Sequence, residues 1–186
     1  IIHQSSATGM QAIPTTGLAQ GVQHLEKNLP GRLRKSSDGK SPVVVCSLGD
    51  GCMSEGEVSE ALQFAVLKEL PIVYLVQDNQ WSISATAEEI RTTNAYEYAS
   101  GFKGLKRMQV DGSDFMRCFE TMEQAVNYAR NERKPVLVHA KVPLLGHHTS
   151  GVRKEFYRSR EDLLKHGLYD PIPKLRLLLT GVGFTD

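Results

Sequence analysis

The chain has 186 residues, 40% of them hydrophobic, which suits one globular domain with a sizeable core. Its 22 basic and 21 acidic residues leave a formal net charge of +1, so no global field recruits nucleic acid or an anionic membrane, and partners must be argued locally. Three cysteines, Cys46, Cys52 and Cys118, are odd in number and lack paired metal-ligand spacing, which argues against a disulfide framework and for a reducing, cytoplasmic setting. No stretch reads as a signal peptide or a membrane span. The absence of an initiator Met before Ile1, and the end at Asp186 just after a glycine-interrupted tail, point to a piece of a longer chain.

A first helix is expected from Pro14, where a missing N–H costs nothing, with Leu18, Val22, Leu25 and Leu29 as its apolar stripe. Before it, Ser5-Ser6-Ala7-Thr8-Gly9 reads either as a plain surface turn or as backbone brought close to a ligand. Residues 30–42, polar, basic and punctuated by glycine, read as a solvated loop. Residues 43–48 are a β-branched apolar run, the pattern of a strand buried on both faces of a parallel sheet, and Gly49-Asp50-Gly51 follows at its carboxyl end. From Glu55 the period is helical, with Val58, Ala61, Leu62, Ala65 and Val66 on one face and Glu57, Glu60 and Lys68 on the other. A second strand over 72–76 ends in Gln77-Asp78-Asn79-Gln80-Trp81. Together these make a right-handed crossover whose two polar turns emerge at one sheet edge, where ligands bind in open α/β sheets.

A short helix is expected over 88–99. Met108-Gln109-Val110 leads into the turn Asp111-Gly112-Ser113-Asp114, Phe115, Phe119, Met122, Val126 and Ala129 mark a helix, and a strand follows over 136–142. The predicted fold is α/β, a mostly parallel sheet sandwiched by helices, in a single domain over 1–186. Beyond Pro143, residues 144–151 place His147 and His148 in a glycine-bounded loop past a strand end. Ser159 reads as a helix cap with Glu161 and Asp162 in the first turn, and a last helix is expected from Pro173 to Gly181, with Lys174 and Arg176 solvated.

Gly49 and Gly51 permit a sharp turn and a close backbone approach to phosphate, with the next helix pointing its N–H groups at the same space. Asp50 between them would repel a bare diphosphate, so a cation must stand between carboxylate and phosphates. Mg²⁺ takes oxygen ligands in an octahedron, and the amide oxygen of Asn79, 29 residues on (79 − 50) at the next strand end, is a plausible second protein ligand. The bland reading, Asp50 as a helix cap and Asn79 as a turn filler, wins for either residue alone; the strand context and spacing together reverse it.

The stretch GDGCMSEGEVSEALQFAVLKELPIVYLVQDNQ resembles the thiamine-diphosphate motif, GDG followed after a crossover by NN or DN. Its surroundings are most similar to the alpha part of the first, decarboxylating component of 2-oxo acid dehydrogenase complexes. The resemblance extends to SSATGMQAIPTTGLAQGVQ, RMQVDGSD, PVLVHAK and the histidine-bearing GHHTSGVRKEFYRSREDL. It implies thiamine diphosphate and Mg²⁺ as cofactors, with Asp50, Asn79 and the main-chain carbonyl of Trp81 on the metal. It further implies that Gly49, Gly51 and Cys52 line the diphosphate, that Ser82 and Ile83 lie against the cofactor's centre, and that Gly9 and Met10 approach the aminopyrimidine. His148 matches the active-site histidine that assists acyl transfer to lipoamide, within an active-site loop over 144–160, and His147 is its structural neighbour.

The implied reaction is oxidative decarboxylation of a 2-oxo acid, the cofactor serving as electron sink. The histidine doublet leans towards a branched-chain (2-oxoisovalerate) substrate over pyruvate. Implied partners are a beta part, fused or separate, that supplies the glutamate activating the aminopyrimidine, a lipoyl-bearing acyltransferase component, and a dimer of alpha-beta units, in the cytoplasm or the mitochondrial matrix. Two features depart from the pattern. Gln77 stands where several relatives carry a diphosphate-binding arginine, and Asp78 replaces the first residue of NN. Thr149 occupies the place of a regulatory phosphoserine in some relatives, where a phosphate would add about −1.5 to −2 charges, and its bland reading is a plain loop residue. Two alternatives stay open, a transketolase- or decarboxylase-type thiamine enzyme and a non-catalytic subunit-docking module.

Overall fold

The computed structural model describes residues 7–149 and 151–185. Ser5 and Ser6 of the small-residue approach lie outside them. Helix α1 (Ala12–Asn28) buries Ala12, Thr16 and Ala19 rather than the expected leucine stripe, for Leu18 and Leu29 stay 45% and 42% exposed. The reason is packing. Small residues let α1 lie against α2 (Gly56–Lys68) and β1 (Val44–Gly49), and the buried Thr16 hydroxyl meets Tyr74 Oη at 2.5 Å. Residues 30–42 are exposed apart from Leu33, Ser41 and Pro42, and the far end is tied down where Arg130 Nε donates to Ser41 O at 3.1 Å and Arg133 Nη1 to Pro42 O at 3.2 Å.

Strand β2 (Ile72–Asp78) lies beside β1. After it come the short hairpin β3 (Trp81–Ser82) and β4 (Ala85–Thr86), then α3 (Ala87–Ile90) and α4 (Ala95–Tyr98). The single helix expected over 88–99 is thus two separate turns. Each opens with its own capping box, Thr86 with Glu89 and Asn94 with Glu97, and the second cap restarts the helix in a new direction. Strand β5 (Lys106–Asp111), helix α5 (Phe115–Glu132) and strand β6 (Val136–Lys141) complete the core, followed by α6 (Arg160–Gly167) and α7 (Pro171–Gly181). Ser159 caps α6 as expected, while α7 starts two residues early because Asp170 accepts from Ile172 N and Pro171 fills its first turn. Lys174 is not simply solvated, since its Nζ donates to Ser113 Oγ at 2.6 Å.

The four long strands form one parallel sheet in the order β1, β2, β6, β5. The crossovers through α2 and α5 run in opposite directions across the sheet, so right-handedness places them on opposite faces. Two buried clusters correspond to those faces, one around Val58, Leu62, Tyr74 and Leu137, the other around Val73, Ala125, Ala129 and Val138. Strand β1 departs from the expectation of burial on both faces: Cys46 and Leu48 are 1% exposed, but Val45 is 47% exposed because α5 covers β5 and β6 and does not reach this edge. On α5, likewise, Ala125 and Ala129 are buried and Phe115 and Phe119 stay open. Register sets the carboxyl ends level, with Gly49 opposite Gln77, Asp78 opposite Lys141, and Asp111 opposite Lys141. The turn after β5 is pressed onto that edge, for a Cβ on Gly112 would stand 2.7 Å from Lys141 O.

Candidate active site

The turns after β1 and β2 meet at this edge. Gly51 is the contact point: a Cβ there would stand 2.6 Å from Ser82 Oγ and 3.1 Å from Ser82 Cβ, so a side chain would turn the hydroxyl away and press the two turns apart. Gly49 behaves differently. Its backbone is ordinary and extended, φ −83° and ψ 164°, and nothing lies within 4 Å of where a Cβ would be, so it keeps space open rather than turning the chain. Helix α2 starts at Gly56 with Glu55 as its N-cap, as the helical period from Glu55 led one to expect, and a 3₁₀ turn, Asp50–Ser54, separates its first N–H groups from the glycine turn. Cys52 is only 6% exposed and its side chain packs in the core, which leaves its backbone alone to face a ligand.

Asp50 and Asp78 are the buried carboxylates of the site, 2% and 3% exposed. One cation serves both, Arg91 Nη2 at 2.7 Å from Asp78 Oδ1 and 3.1 Å from Asp50 Oδ2. Arg91 reaches them because the capping box of Thr86 and Glu89 sets α3 and leaves Arg91 at its C-cap. Asp78 receives more. His139 Nε2 lies 2.8 Å from Asp78 Oδ2, and Gln80 N donates to Asp78 Oδ1 at 3.0 Å. Gln109 Nε2, which can only donate, faces His139 Nδ1 at 3.3 Å, so the imidazole proton sits on Nε2 and points at Asp78.

The two carboxyls therefore diverge. Burial opposes ionisation of Asp78, but hydrogen bonds from His139 and Arg91 outweigh it and hold this carboxyl well below the usual carboxylate range. For Asp50, burial and then the charge on Asp78 push the carboxyl up to about 6 against the weaker pull of Arg91. Asp50 Oδ2 is buried and, apart from its ion pair with Arg91, lacks a hydrogen-bond partner among the described residues. A buried carboxylate oxygen in that state suits a cation.

Asn79 and Trp81 sit in the second turn. Asn79 Oδ1 accepts from Trp81 N at 2.9 Å, and a carbonyl oxygen retains a second lone pair for a metal. Gln80 and Ile83 both have positive φ, 66° and 55°. For a β-branched residue this is strained by about 1–3 kcal/mol, and Ile83 is also 48% exposed, so the chain holds an apolar side chain out of the turn at a cost. Gln77 accepts from Ser47 Oγ at 3.1 Å. Gly9, at φ 84°, packs on Glu55, and Met10 is 51% exposed. His147 Nδ1 accepts from Lys154 N at 3.3 Å, and His148 and Thr149 lie exposed on the loop. The hydrogen bonds of the carboxylate network do not extend to His148 among the described residues. A cavity of about 470 Å³ flanks the network, lined by Asp78, Gln109, Asp111, Lys141, His166 and Tyr169 among others.

Sequence reasoning missed Arg91 and His139. The available signal was Asp78 itself, a carboxylate at the end of an apolar strand, which requires a buried partner. Among the described residues no cluster of three or more His, Cys, Asp or Glu side chains is arranged to hold a metal, so any cation here would rely on Asp50 together with amide and main-chain oxygens.

The fold is that of transketolases. The chain superposes on those of Campylobacter jejuni (TM-score 0.60, 23% identity, 72% of this chain and 20% of that one) and Leishmania mexicana (TM-score 0.59, 21% identity, 74% and 20%). Within that class the family is definite: the sequence model of the dehydrogenase E1 component matches residues 1–186, and the chain belongs to that family. It is 33% identical over 175 residues to the 3-methyl-2-oxobutanoate dehydrogenase alpha subunit of Mycobacterium tuberculosis, covering 94% of this chain and 44% of that protein. It is 31% identical over 146 residues to the mitochondrial 2-oxoisovalerate dehydrogenase alpha subunit of Mus musculus, covering 77% and 33%, and 31% identical to the pyruvate dehydrogenase E1 alpha subunit of Rickettsia bellii, covering 76% and 43%. The chain thus spans less than half the length of these curated relatives.

Because the folded carboxyl of Asp50 titrates near 6 and an unfolded one near 3.8, its charge opposes folding, and this group's contribution to stability falls as pH rises through that interval. Asp50→Asn is therefore expected to stabilise the ligand-free protein by roughly 1–2 kcal/mol at pH 7, with the advantage gone at pH 4. Urea denaturation of both proteins at the two pH values measures this; a destabilised variant at pH 7 contradicts it.

Proposed function

We propose that the chain is the alpha part of a thiamine-diphosphate-dependent 2-oxo acid dehydrogenase and holds the Mg²⁺ and diphosphate end of the cofactor. The observation that carries this is the buried Asp50 oxygen, which has no hydrogen bond among the described residues beyond its 3.1 Å ion pair with the shared Arg91, at the sheet edge beside the turn of Asn79 and Trp81. Asp50, Asn79 Oδ1 and the Trp81 carbonyl would hold the metal, one carboxylate and two neutral oxygens being an ordinary protein share of an Mg²⁺ shell. Gly49, Gly51 and the backbone of Cys52 would face the diphosphate, and Ser82 and the strained Ile83 the middle of the cofactor.

When bound, thiamine diphosphate supplies the nucleophilic carbon and the electron sink for decarboxylation. The chain's own residues orient and charge-balance. Asp78 is saturated by Arg91 and His139, so it holds the turn that presents Asn79 and Trp81 rather than taking the metal. His148, on its exposed loop, would hold or move a proton beside the reacting centre during acyl transfer to a lipoyl group. Gly9 and Met10 would approach the aminopyrimidine, whose activating glutamate must come from a beta part. The lipoyl-bearing acyltransferase component and a dimer of alpha-beta units complete the assembly.

The substrate favoured is a branched-chain 2-oxo acid. Support comes from the histidine doublet and from the names of the mycobacterial and mouse relatives. A transketolase- or decarboxylase-type activity is disfavoured by the E1 family match, and a purely docking role by a buried carboxylate whose one cationic partner, Arg91, is shared with Asp78 and lies closer to it. Among the described residues no helix is long and apolar enough to cross a membrane.

Calorimetry of the complete protein with thiamine diphosphate and Mg²⁺ tests the anchor. Binding is expected in the wild type and a loss of roughly 100-fold or more in Asp50→Asn; equal affinity in the two sinks the assignment. For the loop, His148→Ala should abolish reductive acylation of lipoamide with 3-methyl-2-oxobutanoate while cofactor affinity changes little. Wild-type acyl transfer in that variant excludes the histidine.

A further inference from the structure

The segment that carries His148 is bound to the turn of Asn79 and Trp81 by contacts that no role assigned so far explains. Arg158 stands at its far foot with a side chain fully buried, 0% exposed. Its Nη1 donates to Leu144 O, at the near foot, at 2.7 Å, and its Nε donates to Asp162 Oδ2 at 2.5 Å. The guanidinium lies over the Trp81 ring, 5.4 Å from its centroid, and the Tyr157 ring packs on the same indole at 5.5 Å and a tilt of 58°. The near foot is held twice, since Leu144 N donates to His166 Nδ1 at 2.8 Å and His166 Nε2 lies 3.4 Å from Asp162 Oδ1. Leu144, Arg158, Asp162 and His166 thus form a closed ring of contacts at the base of the loop, with Trp81 as its floor.

Two polar atoms are left over. Arg158 Nη2 and Tyr157 Oη are buried without hydrogen-bond partners among the described residues. A clamp built only to close a loop would satisfy them from neighbouring carbonyls. Here both side chains instead turn towards an aromatic face, which is what contact with Trp81 requires.

We infer that Arg158 is a positioning residue: it ties the two feet of the His148 loop to each other and to the Trp81 ring, and so fixes where the histidine stands relative to the turn of Asn79 and Trp81. The contacts are independent of the function proposed above, and the catalytic consequence rests on it. A planar fork is needed, because one group must reach a carbonyl and a carboxylate while presenting a flat face to indole.

The test uses the complete protein labelled with 5-fluorotryptophan, the Trp81 resonance being assigned through Trp81→Phe, together with tryptic cleavage after Arg153 and Lys154. In Arg158→Gln the Trp81 fluorine resonance is expected to move and cleavage in the loop to speed up by roughly tenfold, the size set by losing charged hydrogen bonds when cleavage follows the open population. Acyl transfer to lipoamide should fall in kcat by more than thiamine diphosphate affinity falls, because Arg158 touches the Trp81 ring and, among the described residues, makes no contact with Asp50 or its hydrogen bonds. Arg158→Lys, which keeps the charge and loses the fork, should be intermediate. An unmoved resonance with wild-type cleavage in Arg158→Gln overturns the clamp; if that variant does not fold, wild-type behaviour of Arg158→Lys on both readouts overturns it equally. Should the protein bind no thiamine diphosphate while resonance and cleavage respond as expected, the clamp stands and the functional reading fails.

Discussion

One guanidinium stands between two buried carboxylates at the carboxyl edge of the sheet, and the way it is shared shapes the site. Arg91 lies closer to Asp78, at 2.7 Å, than to Asp50, at 3.1 Å, and His139 adds its proton to the same side. Asp78 is thereby neutralised in place and becomes scaffold. Asp50 keeps only the longer contact to the shared Arg91, so its charge is balanced in part and a further cation would complete it. An arrangement of this kind lowers the stability of the ligand-free protein, the pattern expected where function and stability compete, and would leave the oxygen preorganised for the proposed metal.

The architecture around that pair follows from simple constraints. Parallel strands in register bring the turns after β1 and β2 to one edge, and the missing side chain at Gly51 lets those turns touch. The strain at Ile83 is held by the short hairpin that follows Asn79, so a disfavoured backbone is fixed where an apolar side chain must stand clear of its own fold. The loop carrying His148 is then tied to the same turn through the ring of Trp81. Anchor and loop meet at one residue, Trp81, whose main-chain oxygen is the one proposed for the metal and whose indole face meets Arg158 and Tyr157.

Much of this was legible in the sequence, and the losses have physical causes. The β-branched runs, the glycine turn and the helical period marked the crossover because these are local signals. The wrong face of α1 and the false burial of β1 arose because periodicity reports which side of an element is apolar, while burial depends on what packs against it: Leu18 and Val45 have no neighbouring element to cover them. Arg91 and His139 escaped because their partner Asp78 is 13 and 61 residues away, and nothing local in either residue's surroundings marks it as a partner. Asp78 did register as a departure from the family pattern. Its meaning needed the structure, where the extra negative charge is matched by Arg91 and its other oxygen accepts from a histidine fully buried in β6.

The claim at the centre is that Asp50 is available to a metal because Asp78 takes the larger share of Arg91. Substituting Asp78→Asn tests it without touching a proposed ligand. With Asp78 neutral, Arg91 should move its charge onto Asp50 and compete with the cation, so that Mn²⁺ affinity in the presence of thiamine diphosphate, read by electron paramagnetic resonance, falls by roughly tenfold or more. Unchanged or tighter Mn²⁺ binding in that variant would contradict the account.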